Sequence, residues 1–64
     1  MTADLQLRDE GTIVLIIPSS PAGQAWVDEH LPEDAPRFGG AVAAEPRYVA
    51  AIVEGATGDG LEVA

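Results

Sequence analysis

The sequence predicts a small two-layer α+β fold in which a mixed sheet packs against two helices, in the order β-β-α-β-α. Three observations support this prediction. Two aliphatic segments near the N-terminus are separated by Asp9-Glu10-Gly11, which is typical turn chemistry. Two later segments carry apolar residues at three- and four-residue spacing, and each begins with a proline. A third aliphatic segment lies between these helical patterns, so strands and helices alternate in the second half of the chain.

The first two strands are predicted to form an antiparallel hairpin. Residues 4–8 alternate polar and apolar side chains, the pattern of a half-buried strand. Residues 12–17 are rich in β-branched side chains and are predicted as the second strand. This strand is apolar on both faces, whereas both helices are expected on one side of the sheet. We therefore expect an uncovered apolar face that carries Val14 and Ile16.

The first helix is predicted to begin at Pro21, with Ser20 as its N-cap, and to stop at Pro32. Gly23 lies on its apolar stripe and is expected where the helix approaches the sheet closely. Residues 37–44 are predicted as a single third strand. The two adjacent glycines inside that strand indicate a bulge or a close backbone approach.

The second helix is predicted to begin at Pro46, with a C-terminal cap near Gly55. Residues 57–64 are predicted to form a flexible tail, although residues 61–64 could add a short C-terminal strand. The whole chain, 1–64, is predicted to be one small domain, because its length leaves no room for a second.

Charge and composition exclude several classes of function. The 64 residues include 11 acids, three arginines and no lysine, for a net charge of -8. Such a surface repels phosphate, so neither direct nucleic-acid binding nor binding to an anionic membrane is expected. The chain has no cysteine and one histidine, His30, so we expect no metal and no cofactor. No membrane-spanning segment or signal peptide is predicted, which favours a cytoplasmic protein.

No catalytic residue is assigned from the sequence, and the chain is expected not to be an enzyme. Without lysine there is no Walker-type phosphate loop, and no Ser-His-acid arrangement is evident. A substrate pocket needs about 300 Å³ or more. We expect that a chain of this length cannot provide one from its own core, so an active site would require a dimer interface. In that alternative His30, Arg47 and Tyr48 are the residues to test.

The segment Glu45-Pro46-Arg47-Tyr48 is the densest group of candidate interaction residues. Arg47 is one of three cations and lies at a strand-to-helix junction, and tyrosine and arginine are enriched at protein interfaces. Glu45, Arg47 and Tyr48 are therefore predicted to contact a partner. The alternative is an intramolecular ion pair between Arg47 and an acid such as Glu45, with Tyr48 half-buried.

The order of these motifs resembles a set of short, acidic, uncharacterised bacterial and phage-associated proteins. The shared pattern is an acidic turn, an aliphatic strand ending in proline, a tryptophan helix, an aromatic-Gly-Gly-Ala strand, Glu-x-Arg-Tyr and Asp-Gly-Leu. Here it reads Glu10-Gly11, residues 13–18, Trp26-Val27, Phe38-Gly39-Gly40-Ala41, Glu45-Pro46-Arg47-Tyr48 and Asp59-Gly60-Leu61. The resemblance covers nearly the whole chain. It implies a complete small protein, and it implies no activity, because none is established for that set.

Three functions follow from these expectations. The first is a non-enzymatic protein-interaction module that forms a homodimer through the uncovered strand face. The second is an acidic inhibitor or DNA mimic that binds a basic surface on another protein. The third is a small enzyme with its site at a dimer interface.

Overall fold

The structure, a computed structural model, describes residues 3–64. These residues form four strands and two helices. The element order is β-β-α-β-β-α, which confirms the predicted α+β class. The strands are β1 (Leu5–Asp9), β2 (Val14–Pro18), β3 (Arg37–Phe38) and β4 (Ala41–Ala44), and the helices are α1 (Pro21–His30) and α2 (Pro46–Gly58).

The four strands form one sheet in the order β1-β2-β4-β3, and all three neighbouring pairs are antiparallel. Leu7 lies opposite Ile16, and Ile16 lies opposite Val42, which fixes these three side chains on one face. A parallel contact occurs at the outer edge of β1, where Leu5 forms a bridge with Val63. The short C-terminal strand considered from the sequence is therefore present as this single bridge.

Residues 37–44 do not form the single strand expected from the sequence. They form the hairpin of β3 and β4, in which Phe38 pairs with Ala41 across a turn of two glycines. Gly39 has a φ of 63°, a left-handed conformation that glycine adopts without steric cost. Because the chain reverses here, β4 returns antiparallel to β2, and the four strands form an antiparallel sheet rather than the predicted mixed one.

Both helices pack on the same face of the sheet, as predicted. The core is a cluster in which strand side chains meet Trp26 and Val27 of α1 and Ala56 of α2. The strand members of the cluster are Leu5, Ile16 and Val42, each at most 2% exposed. Close packing of these aliphatic side chains between the sheet and the helices supplies the main apolar burial of the fold.

The start of α1 is fixed by its cap, as predicted from the sequence. The hydroxyl of Ser20 accepts a hydrogen bond from the backbone N–H of Gly23 at 3.0 Å, and Pro21 occupies the first turn. Gly23 is buried against the N-terminal segment, and a Cβ atom at this position would overlap the carbonyl oxygen of Asp4. The close approach expected for Gly23 is therefore confirmed.

Asp4 connects three separate parts of the chain. Its Oδ1 accepts a hydrogen bond from the Ser20 hydroxyl at 2.6 Å, and its Oδ2 accepts one from the backbone N–H of Glu62 at 2.9 Å. Its carbonyl oxygen accepts from the backbone N–H of Ser19 at 2.8 Å. The Ser20 hydroxyl, followed by the Glu62 N–H, lowers the pKa of the Asp4 carboxyl below its ordinary value of 3.8, because both donors stabilise the charged form.

The second helix is held mainly at its C-terminal half. Ala56 is fully buried, whereas Val49, Ile52 and Val53 of the same stripe are only partly covered. Residues 57 and 58, assigned to the tail from the sequence, belong to the last turn of this helix. The rest of the tail lies along β1, where the N–H of Leu7 donates to the carbonyl oxygen of Ala64 at 3.0 Å.

Candidate interaction surfaces

The prediction that Val14 and Ile16 lie on the uncovered face of β2 is wrong. Val14 is 9% exposed and Ile16 is 0% exposed, because both point toward the helices. The alternate residues of β2, Leu15 and Ile17, point to the other face and are partly exposed. One apolar face of β2 does lack cover, as predicted, but it carries Leu15 and Ile17 instead of Val14 and Ile16.

The uncovered surface, here called the open sheet face, consists of the side chains that alternate with the core residues. Among the described residues, neither helix packs on it. The register places Leu15 between Arg8 and Ala43, places Ile17 opposite Gln6, and places Phe38 opposite Ala41. Phe38 is 59% exposed, which makes it the most exposed large apolar side chain in residues 3–64.

The middle of the open sheet face is apolar or neutral. Its charged member, Arg8, lies beside the β1–β2 turn, where its Nε is 2.8 Å from Oε2 of Glu10, so the carboxylate at this end of the face is paired. Asp9, at the end of the same strand, pairs with Val14 and so lies on the helix side. A molecule of net charge -8 thus presents one sheet face whose middle is free of acids.

A second candidate surface is an apolar groove on the helix side. Its floor is β4, and its walls are residues 31–36 and the N-terminal half of α2. Its volume is about 480 Å³, and most of its lining is apolar: Leu31, Pro32, Ala35, Val42, Ala44 and Ile52. We call it the α2 groove. It exists because α2 is packed tightly only near Ala56, which leaves a gap over β4.

This groove contradicts the expectation that so short a chain has no pocket of substrate size. Its volume of about 480 Å³ falls within the range of small-molecule and peptide pockets, about 300–1,000 Å³. The titratable side chains among its lining residues are Glu45 and Tyr48, and both lie at its edge. The lining therefore suits apolar side chains better than a reaction that requires paired acids and bases.

The structure brings together the three residues predicted in the Glu45–Tyr48 segment. Arg47 Nε lies 3.2 Å from Glu45 Oε2, so the ion pair considered as the alternative is present. The guanidinium carbon of Arg47 also lies 4.9 Å from the centroid of the Tyr48 ring, a cation–π geometry. Tyr48 is 51% exposed. Glu45 and Tyr48 both line the α2 groove, while Arg47 lies beside them.

The charges near the α2 groove are mostly negative. Glu33 and Asp34 are exposed between the lining residues Pro32 and Ala35, and within residues 3–64 neither forms an ion pair. Every arginine is paired locally: Arg8 with Glu10, Arg37 with Asp28 at 3.9 Å, and Arg47 with Glu45. Within residues 3–64, Glu33 and Asp34 therefore lack a cation of their own, whereas Glu45 is paired with Arg47.

His30 belongs to a polar cluster that joins the ends of the two helices. Its ring stacks on Trp26 at a centroid distance of 4.6 Å, and its Nδ1 lies 3.0 Å from the Trp26 carbonyl oxygen. Trp26 Nε1 donates to Asp59 Oδ2 at 2.8 Å, and His30 Nε2 lies 3.6 Å from the same oxygen. The hydrogen bond from Trp26 to Asp59 and the stacking of His30 on Trp26 explain the cluster as a link between α1 and the C-terminus of α2.

Within residues 3–64, no group of three or more His, Asp or Glu side chains is placed to hold a metal ion. Neither α1 nor α2 is long and apolar enough to cross a lipid bilayer.

Comparison with known proteins does not assign the chain to a family. No protein-family model, no curated protein and no solved structure matches it.

Proposed function

We propose that this protein is a non-enzymatic protein-interaction module that forms a homodimer through its open sheet face. The observation that carries the proposal is an apolar sheet face without cover, on which Leu15 and Ile17 are partly exposed and Phe38 is 59% exposed. An antiparallel sheet with both faces apolar is normally packed on both. Contiguous apolar surface of this kind is a feature of association sites.

Charge favours a second copy of the chain as the occupant of this face. Each molecule carries a net charge of -8, so two copies repel wherever their acids meet. The middle of the open sheet face has no carboxylate, and Glu10 at its end is paired with Arg8, so apolar contact can form there with little direct repulsion. A standard interface buries about 800 Å² on each partner, roughly one fifth of the 4025 Å² accessible surface of this chain.

The cytoplasmic location expected from the sequence is part of the proposal. A small dimer without disulfides gains its stability from apolar contact between subunits, as many short domains do.

The experiment is absolute mass by light scattering after size exclusion, from low to high micromolar protein at two salt concentrations. We expect a dimer of 6.6 kDa subunits that is unchanged or tighter at high salt, because salt screens the repulsion between the acidic copies. Phe38→Asp should give monomers, because it places a charge in the interface. Tyr48→Ser, at the α2 groove, is the matched control and should remain dimeric.

Circular dichroism of both variants shows whether they stay folded. Both side chains are more than half exposed, so neither substitution should disturb the core. A monomeric wild type at all concentrations would overturn the proposal. So would a pattern in which Tyr48→Ser dissociates the dimer and Phe38→Asp does not, because the interface would then lie at the groove.

A further inference from the structure

The proposed homodimer contact uses the open sheet face and leaves the α2 groove without a partner. The groove lies on the helix side of the sheet, so it stays accessible when two open sheet faces meet. Tyr48 at its edge is 51% exposed, and Ile52 of its wall is only partly covered. Burial of large apolar side chains is favourable, so a groove of about 480 Å³ that receives several of them provides the apolar contact for specific binding.

We infer that the α2 groove binds a basic amphipathic segment of another protein. The apolar side chains of that segment enter the groove, and its lysines and arginines meet Glu33 and Asp34. This inference rests on the proposed function, because it assigns the partner of the interaction module. An amphipathic helix with apolar side chains three and four residues apart is the recognition mode that such a groove suits.

Charge complementarity is the argument for a basic partner. Glu33 and Asp34 stand between two lining residues, and within residues 3–64 neither is paired with a cation. Arg37, which follows the groove wall, is directed to Asp28 on α1 at 3.9 Å. The excess negative charge at this rim attracts cations and raises the association rate of a basic segment.

The same charges argue against other occupants. Nucleic acids and anionic lipid surfaces carry phosphate, which a molecule of charge -8 repels. A second copy of this chain would bring its own Glu33 and Asp34 to the contact. The groove and the open sheet face therefore differ in the charge at their edges, and this difference directs different partners to them.

The test uses three synthetic 18-residue peptides and isothermal titration calorimetry with the full chain. The first peptide arranges leucine and lysine as an amphipathic helix. The second keeps the leucines and replaces lysine with glutamate, and the third keeps the lysines and replaces leucine with serine. We expect binding of the first peptide alone. Binding of the glutamate peptide, equal binding of the serine peptide, or no binding of any peptide would overturn the inference.

Variants of the chain locate the binding site. Tyr48→Ser should weaken binding of the leucine-lysine peptide by about tenfold, because the ring flanks the groove. The double variant E33Q/D34N should also weaken binding and should reduce its dependence on salt. Phe38→Asp, on the open sheet face, is the control and should bind the peptide as the wild type does. Weaker binding by Phe38→Asp with no effect of Tyr48→Ser would place the site elsewhere and overturn the inference.

Light scattering on the same samples separates the two proposals. A dimer that binds no peptide contradicts the groove assignment and leaves the homodimer intact. A monomer that binds the leucine-lysine peptide at the groove contradicts the homodimer and leaves the groove assignment intact.

Discussion

At the scale of single residues, Gly23 has the least room for a side chain of the seven glycines. A Cβ atom there would overlap the Asp4 carbonyl oxygen and would approach Cδ2 of Leu5 to 3.3 Å. Gly23→Ala must therefore displace either α1 or the N-terminal segment. We expect a loss of about 3 kcal/mol in the free energy of unfolding, measured by chemical denaturation, which is most of what a core of this size supplies.

The control for this variant is Gly58→Ala. Gly58 lies in the last turn of α2, and a Cβ atom there would meet nothing within 4 Å. Replacing a helical glycine with alanine lowers the entropy of the unfolded chain, so Gly58→Ala should be neutral or stabilising by up to about 1 kcal/mol. Equal effects of the two substitutions would contradict the close packing of α1 on the N-terminal segment.

At the scale of secondary structure, the β3–β4 hairpin provides the clearest test. Gly39 has a φ of 63°, so Gly39→Ala should cost about 1–2 kcal/mol. Gly40 has no positive φ, and a Cβ atom there would meet nothing within 4 Å. Gly40→Ala should therefore be nearly neutral. If thermal unfolding shows that both substitutions stabilise the protein equally, residues 37–44 form a continuous strand and the hairpin is wrong.

The helices were the most predictable elements, because local chemistry determines where they begin. Ser20 and Pro21 mark the start of α1, and Pro46 marks the start of α2, and the structure agrees at both places. Their ends were harder to place: α2 continues to Gly58, beyond the expected cap near Gly55. A glycine within an apolar helical stripe can end a helix or allow a close contact. Here Gly55 allows a close contact, because a Cβ atom added to it would lie 3.4 Å from Cζ2 of the Trp26 ring.

The strands were less predictable, because their faces and pairings depend on distant contacts. A strand such as β2, apolar on both sides, gives no local signal for which side is buried, so Val14 and Ile16 were assigned to the wrong face. The parity is fixed by the pairing of Asp9 with Val14, which depends on the length of the intervening loop. The α2 groove was missed for a similar reason, since it arises from incomplete packing of α2 rather than from any motif.

At the scale of the whole molecule, the segment before β1 and the C-terminal tail are joined by backbone hydrogen bonds and by the side chain of Asp4. Asp4 accepts hydrogen bonds from Ser20 at the start of α1 and from Glu62 in the C-terminal tail, and its own N–H donates to the Glu62 carbonyl oxygen at 2.8 Å. Residues 61–64 were predicted to be a flexible tail, and their flexibility stays a prediction. The hydrogen bonds place them beside β1, where Leu61 and Val63 pack against the core.

The hydrogen bonds of the Asp4 carboxylate make the free energy of unfolding decrease at low pH. The pKa of Asp4 is lowered in the folded protein, first by the Ser20 hydroxyl and then by the Glu62 N–H, so the folded state favours the carboxylate. Its stabilising contribution is fully present above the ordinary value of 3.8 and is lost as the pH falls from there through the lowered pKa. Asp4→Asn retains the size of the side chain but removes the charge and one acceptor oxygen.

We therefore expect Asp4→Asn to be less stable than the wild type near neutral pH, with a difference that shrinks below pH 3.8. Urea denaturation of both proteins between pH 2 and 7 measures that difference directly. Asp9→Asn is the matched control, because Asp9 accepts only from the nearby N–H of Gly11 within its own turn and joins no distant segments among residues 3–64. If both variants lose the same stability at every pH, the charge of Asp4 does not hold the two segments together, and the tail is held on the edge of β1 by its backbone hydrogen bonds and apolar contacts.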